Sequence, residues 1–337
     1  MKLKFGMRLD GWMKPSTCVE LAQAAENASF DTIWFAENPY GRGVFPTMTA
    51  SGLATKRIGI GIGVLNPFQR HPTIVAMEMG AMDELLGGRT NLGIGTGIPR
   101  KLKMADLDVS KPIAAVRDAI TIIRDLMTNG TSDHKGQVFS TQNLAIEFTP
   151  VRTDYPIYMA AMGDQAIRLC GSIADGLMIS NLCTPGFTRR ALDLIATNTP
   201  SGTENRLRHV VQYAPCVAGK DRKGARDMAK NVVGKMIKDS FGKSSTPLTR
   251  NWHVIGTGFQ EEYFMELALR LEAGAPGRDI VSDQVLDLFT IAGNADDCLA
   301  AYERYRAVGV TEMVVTFRGA EPVADMNYLA DALRSLQ

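Results

Sequence analysis

Short apolar, β-like runs alternate with amphipathic helical stretches along most of this chain, and eight such pairs can be counted. Strands are predicted at 3–9, 31–36, 57–64, 90–95, 156–160, 175–180, 208–217 and 311–317. The helices that follow them are predicted at 16–28, 46–55, 73–86, 111–128, 164–173, 185–196, 222–238 and 323–335. Parallel strands joined by right-handed crossovers have few ways to close in such number, so the pattern predicts a (β/α)8 TIM barrel. Residues 134–150 read as a hairpin excursion. Residues 239–293 are rich in Gly, Ser, Thr and Pro around helical pieces at 259–273 and 281–290, and read as an insertion before the last βα unit. With 337 residues, 45% of them hydrophobic, one barrel domain over 1–337 can bury the core this requires.

The third strand carries the most unusual local sequence, Gly59 to Pro72, GIGIGVLNPFQRHP. Ile58, Ile60, Ile62 and Val64 alternate with glycines, so one side is bulky and the other is nearly bare backbone. Two readings follow: a flat ligand lies against the bare side, or the glycines relieve crowding inside the barrel. The strand ends at the face where barrel enzymes place their chemistry. Residues gathered at that face are Arg8, Asp10, Glu37, Asn38, Tyr40, Arg42, Asn66, Arg70 and His71.

An open dinucleotide-binding sheet is the rival architecture. Gly93-Ile94-Gly95-Thr96-Gly97 follows a strand, but its spacing is GxGxG and Pro99, Arg100 and Lys101 lead into a loop, a weak Rossmann signature. In a barrel the same residues end the fourth strand, where Thr96 and the Gly97 backbone approach a cofactor.

Composition removes several functions. A net charge of +1, with Lys and Arg spread along the chain, argues against a nucleic-acid partner. No stretch is long and apolar enough to span a membrane, and the N-terminus opens directly on the strand pattern Leu3, Phe5, Met7, Leu9. Cys18, Cys170, Cys183, Cys216 and Cys298 are odd in number without paired spacing, as expected of reduced thiols in a cytoplasmic protein. His71, His134, His209 and His253 have no metal-ligand spacing, so no metal is expected. The helix at 73–86 has more apolar residues than one core face needs, Ile74, Met77, Met79, Met82, Leu85 and Leu86, which predicts a homodimer.

Two mouth residues stand out chemically. Glu37 follows Ile33, Trp34 and Phe35, and partial burial would raise its pKa toward that of a general acid. The competing reading is an ion pair with Arg8 or Arg42 that fixes the loop. Arg8 has the planar fork suited to a substrate carboxylate.

Four segments then carry a family resemblance: GVLNPFQRHP (63–72), DELLGGRTNLGIGTG (83–97), SKPIAAVRDAI (110–120) and PIYMAAMGDQAIRLCGSIADGLMIS (156–180). In order and spacing the chain resembles the luciferase-like flavin and deazaflavin oxidoreductases, in particular the branch using coenzyme F420 that includes methylenetetrahydromethanopterin reductase. The resemblance implies a ring of F420, or alternatively FMN, resting on a bulge at the end of the third strand with a non-proline cis peptide, here Gly63-Val64, beside Asn66. It implies a cofactor phosphate at Ala160, Ala161, Met162, Gly163 and Asp164, where Asp164 reads equally as a helix N-cap, with Ser180, Asn181 and Arg168 as further tail contacts. Glu37, Asn38 and Arg8 become the catalytic candidates: Glu37 for proton transfer, Asn38 for the ring edge, and Arg8 for a substrate carboxylate or an anionic reduced ring.

The implied activity is hydride transfer to or from a small-molecule substrate. The alternatives are an FMN-dependent monooxygenase and a non-catalytic flavin-binding barrel. Where methylenetetrahydromethanopterin reductases place a glutamate on the first strand this chain has Arg8, and their strand-four aspartate is Ile98. Sugar-phosphate and alcohol dehydrogenases of the branch place Asp-His where this chain has Glu37-Asn38, and a glutamate where it has Ile98. The resemblance therefore extends to the cofactor chemistry rather than to those substrates.

Overall fold

The computed structural model describes residues 3–198, 207–243 and 245–334. Its strands are β1 (Lys4–Asp10), β2 (Thr32–Ala36), β3 (Gly59–Leu65), β4 (Thr90–Ile94), β5 (Thr131–Ser132), β6 (Leu144–Ala145), β7 (Ile157–Ala160), β8 (Gly176–Ile179), β9 (His209–Ala218), β10 (Ile291–Gly293) and β11 (Glu312–Phe317). Parallel pairing runs β1-β2-β3-β4-β7-β8-β9-β11 and returns from β11 to β1, which closes an eight-stranded TIM barrel as the alternation predicts. The short strands β5 and β6 pair antiparallel in the anticipated hairpin.

Every second side chain of a strand points to the same side, and the sequence uses the two sides differently. Outward, Met7, Leu9, Ile33, Phe35, Ile60, Ile62, Leu92 and Ile94 join the helices in one large apolar core. Inward, Trp34, Tyr158, Met178, Val211, Tyr213 and Val314 fill the barrel. The glycines of β3 face this interior. A Cβ on Gly61 would stand 2.5 Å from Trp34 Cε3, and one on Gly63 would meet the Tyr213 hydroxyl and stand 2.7 Å from Met178 Cε. The bare side of β3 is thus occupied by large side chains of neighbouring strands, so at Gly61 the crowding reading holds. Below Trp34, the buried Glu312 accepts hydrogen bonds from Trp34 Nε1 at 2.6 Å and from Thr32 Oγ1.

The region read as an insertion contains more structure than its composition suggests. Helices occupy Pro247–Val254, Glu261–Glu272, Gly277–Ile280 and Asp283–Phe289. Then β10 adds to the end of β9 outside the ring, with Ile291 opposite Cys216. A further helix, Ala295–Arg306, starts from a capping box between Asn294 and Asp297 and leads into β11. Neither β10 nor this helix was anticipated. Phe241, Phe264, Leu267, Val285, Leu286 and Phe289 form a second apolar cluster in this part of the chain. Two polar contacts fasten it over the loop after β8: Thr184 Oγ1 donates to the Ile255 carbonyl at 2.7 Å, and His253 Nδ1 lies 2.9 Å from the Leu182 carbonyl. Among the described residues no helix is long and apolar enough to cross a membrane.

Candidate active site at the carboxyl end of the barrel

Between Ile62 and Leu65 the register of β3 against β4 shifts. Gly63 and Val64 consequently both border the interior cluster, consecutive residues where a regular strand would offer one. Their peptide bond is cis, at the position the resemblance implied. Tyr213 braces the bulge by donating its hydroxyl to the Gly63 carbonyl at 3.3 Å. Just after β4 a Cβ at Gly95 would lie 3.0 Å from Val64 Cγ2 and 3.2 Å from Ala160 Cβ, a tight fit that Val64 would have to yield to. Thr96 is half-buried beside it, and Gly97 takes φ +69°, a left-handed conformation that suits glycine. Asn66 closes the turn after β3: its Oδ1 accepts from Phe68 N at 3.2 Å and Gln69 N at 3.1 Å, and its Nδ2 donates to Gln69 Oε1 at 2.6 Å.

Glu37 follows β2 and is nearly enclosed. Its Oε1 pairs with Arg70, whereas its buried Oε2 has no hydrogen-bond partner. The partner is therefore neither Arg8 nor Arg42, the two considered from sequence. Arg42 instead donates to the Trp12 carbonyl at 2.7 Å. Burial raises the Glu37 pKa above the ordinary value of 4.5, and the Arg70 guanidinium and the Asn66 backbone, which oppose it, do not cancel the rise. Asn38 Oδ1 accepts from Gly11 N at 2.7 Å, tying the loop after β2 to the loop after β1.

The ends of β1 and β11 bring together a second charged group. Asp10, with a side chain 1% exposed, lies 2.9 Å from Arg8 Nη1 and 3.0 Å from Arg318 Nη2. Arg8 stacks over the Tyr213 ring at 5.5 Å and Arg318 over the Trp12 ring at 5.8 Å. Arg8 Nε and Thr316 Oγ1 are buried without hydrogen-bond partners. Tyr213, Thr316 and Arg318 escaped sequence analysis. The available signal for Thr316 and Arg318 was the C-terminal end of β11, which abuts β1 once the ring closes, whereas Tyr213 lies midway along β9.

Ala160, Ala161, Met162 and Gly163 connect β7 to the helix Asp164–Ile173. The N-cap is Gly163, in extended conformation and without a side-chain cap, so Asp164 is the first helical residue rather than the cap. Its carboxylate pairs with Arg190 at 2.8 Å, and that hydrogen bond holds it below the ordinary carboxylate range. The uncapped amides of this helix start are suited to an anion. Trp252, from the insertion, would lie 3.5 Å from a Cβ placed on Gly163. Ser180 is exposed and its carbonyl accepts from Gln212 Nε2 at 3.0 Å. Next to it the buried Asn181 Oδ1 has no partner. His71 caps the helix Pro72–Leu85, its ring accepting from Thr73 N.

Five buried polar atoms without partners therefore lie toward the C-terminal ends of four strands: Arg8 Nε and Asp10 Oδ1 on β1, Thr316 Oγ1 on β11, Glu37 Oε2 just after β2 and Asn181 Oδ1 just after β8. Buried polar groups are normally paired, so this concentration of unpaired ones at one end of the barrel marks it as the candidate site. Among the described residues no group of three or more His, Cys, Asp or Glu is arranged to hold a metal ion.

Comparison with known proteins agrees with the barrel fold. The sequence profile of the luciferase-like monooxygenase family matches residues 5–312. The 5,10-methylenetetrahydromethanopterin reductase of Archaeoglobus fulgidus is 28% identical over 318 residues, 93% of this chain and 92% of the relative. The F420-dependent glucose-6-phosphate dehydrogenase 2 of Rhodococcus jostii is 27% identical over 317 residues, 89% of this chain and 87% of the relative. Among solved structures, the coenzyme F420 dependent tetrahydromethanopterin reductase of Methanopyrus kandleri superposes with a TM-score of 0.85 at 22% identity, over 100% of this chain and 99% of that one.

Proposed function

The chain belongs to the luciferase-like monooxygenase family, and from that membership we propose that it is an oxidoreductase transferring hydride between reduced coenzyme F420 and a small organic substrate. The carrying observation is the inward Gly63-Val64 bulge, held by Tyr213 and bordered by backbone at Gly95. The name of the F420-dependent dehydrogenase among its relatives favours F420 over FMN.

When bound, reduced F420 supplies a hydride to an electrophilic carbon of the substrate and is itself oxidised, with release of a proton. The protein positions, encloses and protonates. Gly63, Val64, Thr96 and Gly97 offer backbone and a hydroxyl to the ring. Ala160, Ala161, Met162 and Gly163 offer the amides of an uncapped helix start to the phosphate, next to Ser180 and Asn181. Glu37, whose pKa burial raises, gives a proton from its Oε2 to the heteroatom of the reduced bond. Arg70 on Oε1 holds the carboxyl in place.

The same reading takes the chain as one barrel domain with an insertion. The five cysteines are buried free thiols, which supports the cytoplasm as its compartment. Titration of apoprotein with F420 and with FMN, followed by fluorescence, tests the cofactor. Tight binding of F420 with oxidation of its reduced form is expected, and selective binding of FMN would overturn the assignment.

A further inference from the structure

The two charged groups at the barrel mouth differ in balance. Beside Glu37, one guanidinium faces two carboxylates: Arg70 pairs with Glu37, and its Nε lies 3.7 Å from Glu78 Oε2. Beside Asp10 the count is reversed, because Arg8 and Arg318 share one carboxylate that is 1% exposed. Among the described residues no second acid pairs with either arginine. One positive charge therefore remains at the junction of β1 and β11, shared between Arg8, 15% exposed, and Arg318, 34% exposed. A surplus positive charge at a part-buried corner is stabilised by a counterion, so this corner favours an anion from outside the chain.

The hydrogen-bonding groups there point to the same ligand. Arg8 Nε is a buried donor without a partner. Thr316 follows Val315, which pairs with Met7, so it lies on β11 alongside Arg8 on β1, and its buried hydroxyl is also unpartnered. The Arg8–Asp10 contact leaves Asp10 Oδ1 without a well-directed hydrogen bond, so the carboxylate does not saturate the guanidinium. A planar guanidinium matches a carboxylate with two parallel bonds, and one surplus charge suits a monoanion better than a phosphate dianion.

Resting on the oxidoreductase reading above, we infer that the substrate carries a carboxylate bound by Arg8, Thr316 and Arg318, with its reducible bond turned toward Glu37. Arg8 and Arg318 then decide which carbonyl or imine compounds are accepted, and neutral analogues are poor ligands.

The test uses benzoate, benzamide and inorganic phosphate as probes, titrated calorimetrically into the full chain with and without F420. Benzoate is expected to bind about tenfold or more tighter than benzamide, the difference a charge-assisted pair makes. Arg8→Gln and Arg318→Gln each remove that preference while F420 affinity stays near wild type. Thr316→Val, which leaves the charge count unchanged, weakens benzoate and not benzamide. Equal binding of benzoate and benzamide, or absence of both, overturns the inference, and preference for phosphate overturns the carboxylate class. Loss of F420 affinity in Arg8→Gln with benzoate preference intact assigns Arg8 to the cofactor instead and overturns its role here. Failure of wild-type protein to bind F420 counts against the cofactor reading alone, because the carboxylate preference is read separately in the apoprotein.

Discussion

Tyr213 on β9 donates its hydroxyl to the carbonyl of Gly63 on β3, 3.3 Å away across the barrel interior. Burial pushes the Tyr213 phenol well above the ordinary tyrosine range, so the hydroxyl keeps its proton and acts as the donor. Tyr213→Phe leaves the Gly63 carbonyl unpaired, a loss of about 1 kcal/mol in stability, and loosens the surface proposed for the ring. Gly63→Ala drives a methyl group into the Tyr213 hydroxyl and toward Met178 Cε, at 2.7 Å, so the neighbours must move. A cost of about 1–3 kcal/mol follows from overpacking. Thermal denaturation and F420 titration check both variants. Wild-type F420 affinity in Gly63→Ala would remove the bulge from the cofactor site.

For Glu37 the expected signature is a pH limb. A general acid must be protonated, so the rate of substrate reduction falls as pH rises through a pKa that burial has raised above 4.5. Glu37→Gln lowers kcat by about two to four orders of magnitude and abolishes that limb. Arg70→Met removes the cation that opposes the rise, so its limb moves to still higher pH. Rate measurements across pH for the three proteins decide the matter, and a limb unchanged in Glu37→Gln excludes this carboxyl as the acid.

Stability at the other end of the barrel depends on Trp34 and Glu312. Burial raises the Glu312 pKa above 4.5, and the hydrogen bonds from Thr32 and Trp34 only partly offset it. Stability linked to this group is therefore fully present below 4.5 and declines as pH rises through the folded-state value. Trp34→Phe removes the indole donor to the carboxylate, costing about 1–3 kcal/mol, and raises that pKa further. Its deficit in urea unfolding should thus be larger at neutral than at acidic pH. An equal deficit at both would show that lost packing, and not the carboxylate, sets the cost.

The eight βα units were legible because an inward and an outward side leave a regular trace: Ile60 and Ile62 against Gly59, Gly61 and Gly63 on β3. What fills the glycine side was not legible, since Trp34 comes from β2 and Tyr213 from β9. Pairings were hidden for the same reason. Asp10 and Arg318 stand 308 positions apart and meet only because β11 closes onto β1. Glu37 meets Arg70 rather than nearer arginines because β2 and β3 are neighbours, so the loops that follow them share one end of the ring. The Gly63-Val64 cis bond was reached through the family resemblance, as nothing in glycine and valine alone indicates it. The strand β10, with three residues, is too short to leave a periodic pattern.

Assembly gives a further test, on the helix Pro72–Leu85. Of the apolar residues that suggested a surplus, Met79, Met82 and Leu86 are buried in the core, so they do not count toward an interface. Ile74, Met77 and Leu85 remain 44%, 49% and 55% exposed. Their spacing places them along one side of the helix, since neighbours on a helix face recur every three or four residues. A twofold partner offering the same stripe would cover all three, which is the arrangement expected of a homodimer. Light scattering should then give twice the chain mass for wild type, and Met77→Glu should shift the equilibrium toward monomer while leaving the thermal transition nearly unchanged. A wild-type mass of one chain at micromolar concentration would leave the stripe as ordinary exposed surface, because single apolar side chains outside an interface are common on soluble proteins.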